Sequence, residues 1–183
     1  MYCAVFKAVR KCVGKGEKRM EGKTVASSAL IMSVVMQPDQ ANPSGNVHGG
    51  EIMKLMDNAA YVVAQRHART NVVTARVDEL IFHQPIFVGN LVTCHAFLTF
   101  VNRSSMEVVV TVEVEDLFSE ASAKAALSAY FTMVALNVGG KPLSVSPLKL
   151  ETEEEKIRFE AGQQRHEMNK RKKEEGQTVF FDR

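Results

Sequence analysis

One long segment of helical spacing, Glu51 to about Ala68, is followed by four strand-like runs with short joins, and that order limits what this chain can fold into. In the helical segment Ile52, Leu55, Met56, Ala59, Val62 and Val63 form a wide apolar face, while Glu51, Lys54, Asn58 and Gln65 share the opposite strip. The strand-like runs are Val72 to Phe82, Leu91 to Val101, Met106 to Val114 and Lys124 to Asn137. In the third, Met106, Val108, Val110, Val112 and Val114 face one way and Glu107, Thr111 and Glu113 the other. Pro85 and Gly89 mark one join and Asn102-Arg103-Ser104-Ser105 reads as a hairpin turn, so the sheet is expected to be antiparallel. A further strand is expected over Ser27 to Met36, before the breaker-rich stretch Pro38 to Gly45. The expected class is α+β, with the concave face of one curved sheet covering one helix. Its open apolar edges favour a dimer that extends the sheet.

Composition sets the remaining bounds. Hydrophobic residues make up 45% of the 183 and charged residues 24%, and no apolar run approaches the roughly 18 residues of a membrane span. A net charge of +2 gives no reason to expect a nucleic-acid partner. Cys3, Cys12 and Cys94 lack disulfide or zinc spacing, which fits a reducing cytoplasm.

The chain divides into a basic extension over 1–23, a folded domain over 24–149, a helix over 150–175 and a tail over 176–183. The extension carries Lys7, Arg10, Lys11, Lys15, Lys18, Arg19 and Lys23 without the apolar core of a secretory signal, and Met20 is an alternative start. Thr152 with Glu155 forms a capping-box signal, and the following helix runs from acidic to basic at Lys170 to Lys173, in the sense of its macrodipole. Ile157, Phe159 and Met168 are its few apolar residues and imply light docking.

The chemistry concentrates in Asn46-Val47-His48-Gly49-Gly50 and in Asp57, about two helical turns further on. Two glycines opening a helix present backbone N–H groups to a developing oxyanion, and a side chain there would obstruct close approach. Asp57 falls on the border of the polar strip, flanked by Met53, Ala60 and Ala64, so its carboxylate is placed at a seam. It serves as a nucleophile or a general base, or is an ordinary solvated helix residue. His48 is an alternative base or fixes the turn through its ring nitrogens. His67, His83, His95 and His166 show no metal-ligand spacing, Ser44 lacks a Gly-x-Ser-x-Gly elbow, and Cys94 reads as a small core residue.

These residues carry a resemblance. Asn42 to Gly50 with Met56-Asp57, then Val73-Thr74-Ala75, Phe82 with Pro85-Ile86 and Gly89, Ser105-Met106-Glu107, and Phe131 to Leu136, resemble the hot dog fold acyl-CoA thioesterases over roughly Ser27 to Glu175. Asn90 departs from the pattern, which commonly has Asp after that glycine, and Met1 to Arg19 match nothing in it. The resemblance implies a hot dog fold: an antiparallel sheet wrapped round a central helix. It also implies hydrolysis of acyl-CoA to free CoA and a carboxylic acid, as in fatty acid metabolism, with coenzyme A as part of the substrate and no cofactor. It implies a homodimer, assembled as a trimer of dimers, in which Asn46 of one subunit faces Asp57 of another. Asn46, Asp57, Gly49 and Gly50 are then the catalytic group, and His48, Thr74, Arg103, Ser104 and Ser105 lie on the substrate and CoA side. The competing readings are a non-catalytic acyl-CoA sensor and a dehydratase acting on 3-hydroxyacyl thioesters. The stretch before the first strand is too short for a helix-turn-helix output module, and the dehydratase motif is a different one.

Overall fold

The computed structural model describes residues 20–180. Its strands and helices are β1 (Lys23–Thr24), β2 (Leu30–Val35), α1 (Gly49–Ala68), β3 (Asn71–Phe82), β4 (Leu91–Val101), β5 (Ser105–Glu115), β6 (Lys124–Leu136), β7 (Leu148–Lys149) and α2 (Glu153–Phe180), with a 3-10 turn at Pro38–Gln40. Five strands form one sheet in the order β2-β4-β5-β6-β3, every neighbour antiparallel, as their short joins require. Register shifts between Thr74 and Arg76, Asp78 and Ile81, and Leu98 and Phe100 bend the long strands, and the sheet curls round α1.

The core is the interface expected from the two periodicities. Ile52, Met56, Ala59, Ala60, Val63 and Ala64 of α1 are buried, and Val92, Cys94, Ala96 and Leu98 of β4 with Val108, Val110 and Val112 of β5 meet them from the sheet. Ala60 and Ala64, assigned to the border of the helix, are fully covered. Small residues there let the sheet approach closely, while Met53 remains 40% exposed.

Three features differ from the expectation. The first long strand begins at Leu30 rather than Ser27, because Ser27 and Ser28 donate backbone N–H bonds to the Thr24 and Val25 carbonyls and close a turn. The parallel pair β1 and β7 has no periodic signal, being only two residues long on each side. Finally, α2 starts at Glu153 and continues to Phe180, through Gly176. A single helix-interior glycine costs only about 1 kcal/mol, and no proline follows to stop the helix. The anticipated cap is present: Thr152 Oγ1 accepts from Glu155 N at 3.1 Å and Glu155 Oε2 accepts from Thr152 N at 3.3 Å. The basic extension up to Arg19 lies outside the described residues, as does the end of the tail.

The β1–β7 pair is fastened to the end of α1. Lys23 Nζ donates to the His67 carbonyl, and the His67 ring, 1% exposed, donates from Nε2 to the Ser146 carbonyl at 2.7 Å. Its Nδ1 is buried with no partner, which suits the neutral ring. Burial holds the His67 pKa below the usual histidine value; the bond to Ser146 opposes this and the nearby Lys23 charge assists it. A folded-state pKa below the unfolded one means that the unfolded chain takes up the proton first. His67 therefore contributes stability that is complete above about pH 6.5 and is lost as pH falls toward the folded value. Thermal melts from pH 7.5 to 5.5 should show Tm falling below about pH 6.5, and the His67→Gln variant should lose that component.

Candidate active site

The loop before α1 is shaped by its own side chains. Asn42 Oδ1 accepts from the backbone N–H groups of Ser44 and Asn46, and the Val47 N–H donates to the Ile86 carbonyl at 2.8 Å. His48 caps α1: its Nδ1 accepts from the Gly50 N–H at 3.0 Å. The Glu51 N–H is also occupied, by the His48 carbonyl at 2.9 Å. No described residue accepts from the Gly49 N–H. Of the two glycines, Gly49 is thus the one whose donor remains open at the helix start.

Gly49 lines a cavity of about 480 Å³ together with Asn46, Val47, Ile52, Phe82 and Ile86. Here the need for glycine is visible. A Cβ at position 49 would lie 3.2 Å from Phe82 Cζ, so a side chain would press on the cavity wall. The Asn46 side-chain amide faces the same space and has no partner among the described residues.

Asp57 occupies the seam between α1 and the sheet, half-buried. Thr74 of β3 donates its hydroxyl to Asp57 Oδ1 at 2.6 Å, far shorter than its 3.5 Å approach to Met133 Sδ. That is a charge-assisted bond, and it fixes the carboxylate rotamer while leaving Oδ2 without a described donor. Thr74, placed by sequence reasoning along the substrate channel, is therefore the hydrogen-bond partner of Asp57. Asp57 follows Gly49 by eight residues, about 12 Å along the helix axis, so the carboxylate and the Asn46–Gly49 cavity do not meet within one chain.

Arg103, Ser104 and Ser105 sit at the turn between β4 and β5. The backbone of this turn is held from both sides: Asn102 N donates to Ser105 O, Ala135 N to Ser104 O and Val145 N to Arg103 O, all at 2.8–2.9 Å. The Arg103 side chain is exposed and has no described carboxylate partner. Cys94 is fully buried in β4, and burial pushes its thiol up to about 11, which removes it as a nucleophile. No group of three His, Cys, Asp or Glu among the described residues has a metal-binding arrangement.

A thioesterase superfamily model matches residues 44–121, which begin in the Asn46 loop and include Asp57, Thr74 and the Arg103 turn. The crystal structure of an acyl-CoA hydrolase from Bacillus cereus superposes with a TM-score of 0.80 at 31% identity, covering 87% of this chain and 96% of that one. This chain belongs to the acyl-CoA hydrolase family of hot dog fold thioesterases. A hexameric acyl-CoA thioesterase structure matches this hot dog chain with a TM-score of 0.79 at 31% identity, over 84% of this chain and 97% of that one. The cytosolic acyl coenzyme A thioester hydrolase of Rattus norvegicus is 42% identical over 155 residues. The match takes in 84% of the present chain but only 41% of the rat protein, so this hot dog chain spans about two fifths of that relative.

Within this hot dog domain the His48 cap separates two roles that the sequence leaves open. His48→Ala should destabilise the fold by about 1 kcal/mol, whereas His48→Asn, which retains a capping acceptor, should be close to neutral. If His48 only caps, His48→Asn also keeps full thioesterase turnover; a base at this position would be lost in both variants. Sequence reasoning missed the arginine of α2 that reaches the sheet. Arg165 donates from Nε and Nη2 to Glu107 at 3.0 and 2.7 Å, and its guanidinium lies 3.9 Å from the centroid of the Tyr130 ring. The only available signal was a glutamate inside a valine-rich strand. Ile157 and Met168, expected to dock α2, are 62% and 51% exposed. Phe159 does dock, with its ring 5.0 Å from that of Phe100.

Proposed function

We propose that the chain hydrolyses acyl-CoA thioesters to free CoA and a carboxylic acid, in the cytoplasm and without a cofactor, as a homodimer that assembles further into a trimer of dimers. The observation that carries this reading is the bond from Thr74 to Asp57 at 2.6 Å, which holds a carboxylate at an apolar seam in one rotamer. A carboxylate so constrained on the axis of the central helix is suited to attack at a fixed carbonyl.

The open Gly49 N–H, aided by the dipole of α1, is placed to receive the carbonyl oxygen as it gains charge. Asn46, free to donate or accept, orients the carbonyl or the water. Because Asp57 lies about 12 Å along the axis from Gly49, the partner's Asp57 completes the site. Support for such pairing comes from β3, one of the sheet's two edge strands, where Val73, Val77 and Ile81 are 40%, 37% and 56% exposed. Asp57 Oδ2 either attacks the thioester carbon or takes a proton from the attacking water. In the first route Asp57 Oδ2 forms a C–O bond to the acyl carbon as the C–S bond breaks. Water then cleaves the resulting anhydride, releasing the acid, restoring the carboxylate and supplying the proton that the CoA thiolate takes up. In the second the water oxygen bonds to the acyl carbon, and the proton taken by Asp57 passes to the thiolate as the C–S bond breaks. Arg103, Ser104 and Ser105 supply the cation and hydroxyls for the CoA phosphates.

The test is thiol release from a panel of acyl-CoAs, with Asn46→Ala and Asp57→Ala proteins assayed alone and after refolding together. Each alone should be nearly inactive. Mixed dimers regain one intact site, so the mixture should recover about a quarter of the wild-type rate. No thiol release from any acyl-CoA by the wild type would reject the activity. Inactive singles without recovery on mixing would reject the shared site.

A further inference from the structure

We infer that α2 is a splint for the β4–β5 hairpin, holding the Arg103–Ser105 turn in position for the nucleotide end of coenzyme A, with Arg165 and His166 as its positioning residues. This rests on the CoA-side role of the turn proposed above.

Most of the anchors of α2 meet the stem of that hairpin, while Asn169 Nδ2 donates to Asp78 Oδ2 of β3 at 2.9 Å and Arg165 also stacks on Tyr130 of β6. On the β4 limb, Asn102 Nδ2 donates to His166 Nε2 at 3.1 Å, and the Phe100 ring meets His166 and Phe159 with centroids 5.5 and 5.0 Å away. On the β5 limb, Glu107 is only 7% exposed and takes the bidentate guanidinium of Arg165 together with the Thr99 hydroxyl at 2.5 Å. Thr99 belongs to β4, so this carboxylate ties both limbs to the helix. Gly162 sets the spacing. A Cβ there would lie 2.6 Å from Phe100 Cβ and 2.8 Å from Glu107 Oε1, and neither the strand nor the paired carboxylate can yield without moving the helix.

From its own residues the turn has one backbone bond, Asn102 N to Ser105 O at 2.8 Å. Arg103 and Asn102 are exposed, and the backbone bonds from Ala135 N to Ser104 O and from Val145 N to Arg103 O hold the main chain without fixing these side chains. Asn102, immediately before Arg103, is fixed from the helix side by His166. A cation and two hydroxyls recognise phosphate oxygens well only when their backbone is preorganised, since ordering them on binding costs affinity. The splint acts on binding of the nucleotide portion and leaves the chemistry at Asp57 untouched.

Steady-state kinetics with butanoyl-CoA and with S-butanoylpantetheine, which lacks the nucleotide, separate this role from a general structural one. CoA binding measured by calorimetry gives a readout independent of turnover. His166→Ala and Gly162→Ala should each raise KM for butanoyl-CoA and Kd for CoA by about tenfold with kcat unchanged, and leave KM for S-butanoylpantetheine unaltered. His166→Gln, which can still accept from Asn102, should restore most of the affinity. Wild-type CoA affinity in both variants, or an equal loss on the two substrates, would overturn the splint. Arg103→Ala distinguishes the underlying reading. If it weakens CoA while the α2 variants do not, only the splint fails; if it leaves CoA binding unchanged, the turn is not the CoA site and both fail.

Discussion

Asp57→Ala should lower kcat for acyl-CoA hydrolysis by about a hundred- to ten-thousand-fold, with little change in KM or Tm. The loss is confined to kcat because the side chain sits at a half-buried seam rather than in the core, and its one described bond is to Thr74. Thr74→Ala should produce a smaller fall, since it removes a charge-assisted bond worth about 1.5 to 3 kcal/mol and frees the carboxylate to rotate. Thr74→Ser should recover most of the rate by returning the hydroxyl. A single turnover in isotope-labelled water then separates the two chemical routes. Label on the Asp57 carboxylate marks a nucleophile whose anhydride water opens at Asp57, and label only in the released acid, with no anhydride trapped by hydroxylamine, marks a general base. Full activity of folded Asp57→Ala would remove this residue from the mechanism.

The largest effect on stability is expected at Arg165. Removing its side chain leaves Glu107 buried with one hydroxyl and no counter-charge, a loss of about 3 to 5 kcal/mol. For a domain of this size that lowers Tm by on the order of 10 °C. Replacing both members, Arg165→Met with Glu107→Met, should cost much less than the sum of the single exchanges, because the desolvated charges disappear together. Denaturant titration of the two single variants and the double variant measures the coupling. Strictly additive losses would show that the geometry of the pair, bidentate and stacked on Tyr130, contributes nothing beyond packing.

Much of the fold was legible from local pattern. The α1 face of Ile52, Met56, Ala59 and Val63 and the alternation Met106, Val108, Val110, Val112 are buried as their periods require, since a helix or strand with one apolar side has few ways to hide it. The capping box at Thr152 and Glu155 was readable because all its atoms lie within one turn. Glu107 was assigned to the polar side of β5 and does lie there, yet it is buried, because α2 covers that side. No periodicity within β5 can report a helix that arrives almost sixty residues later, as the separation of 58 positions to Arg165 shows.

The candidate site divides in the same way. Asn46, Gly49, Gly50 and Asp57 stood out in the chain because a glycine pair at a helix start and a carboxylate two turns on are local features. Their individual states were not local. That Gly50 is spent on the His48 ring while Gly49 stays open, and that Thr74 holds Asp57, depend on side-chain directions and on the packing of β3 beside α1.

Sequence alone determined the element types, their order, the buried faces and the residues with chemistry to offer, because these follow from backbone preferences and the period of apolar positions. Tertiary structure alone decided which donor remains unoccupied, which hydroxyl fixes the carboxylate and where α2 is fastened. Those outcomes rest on hydrogen bonds and ion pairs between residues far apart in the chain, whose short range gives them meaning only after the sheet has closed round its helix.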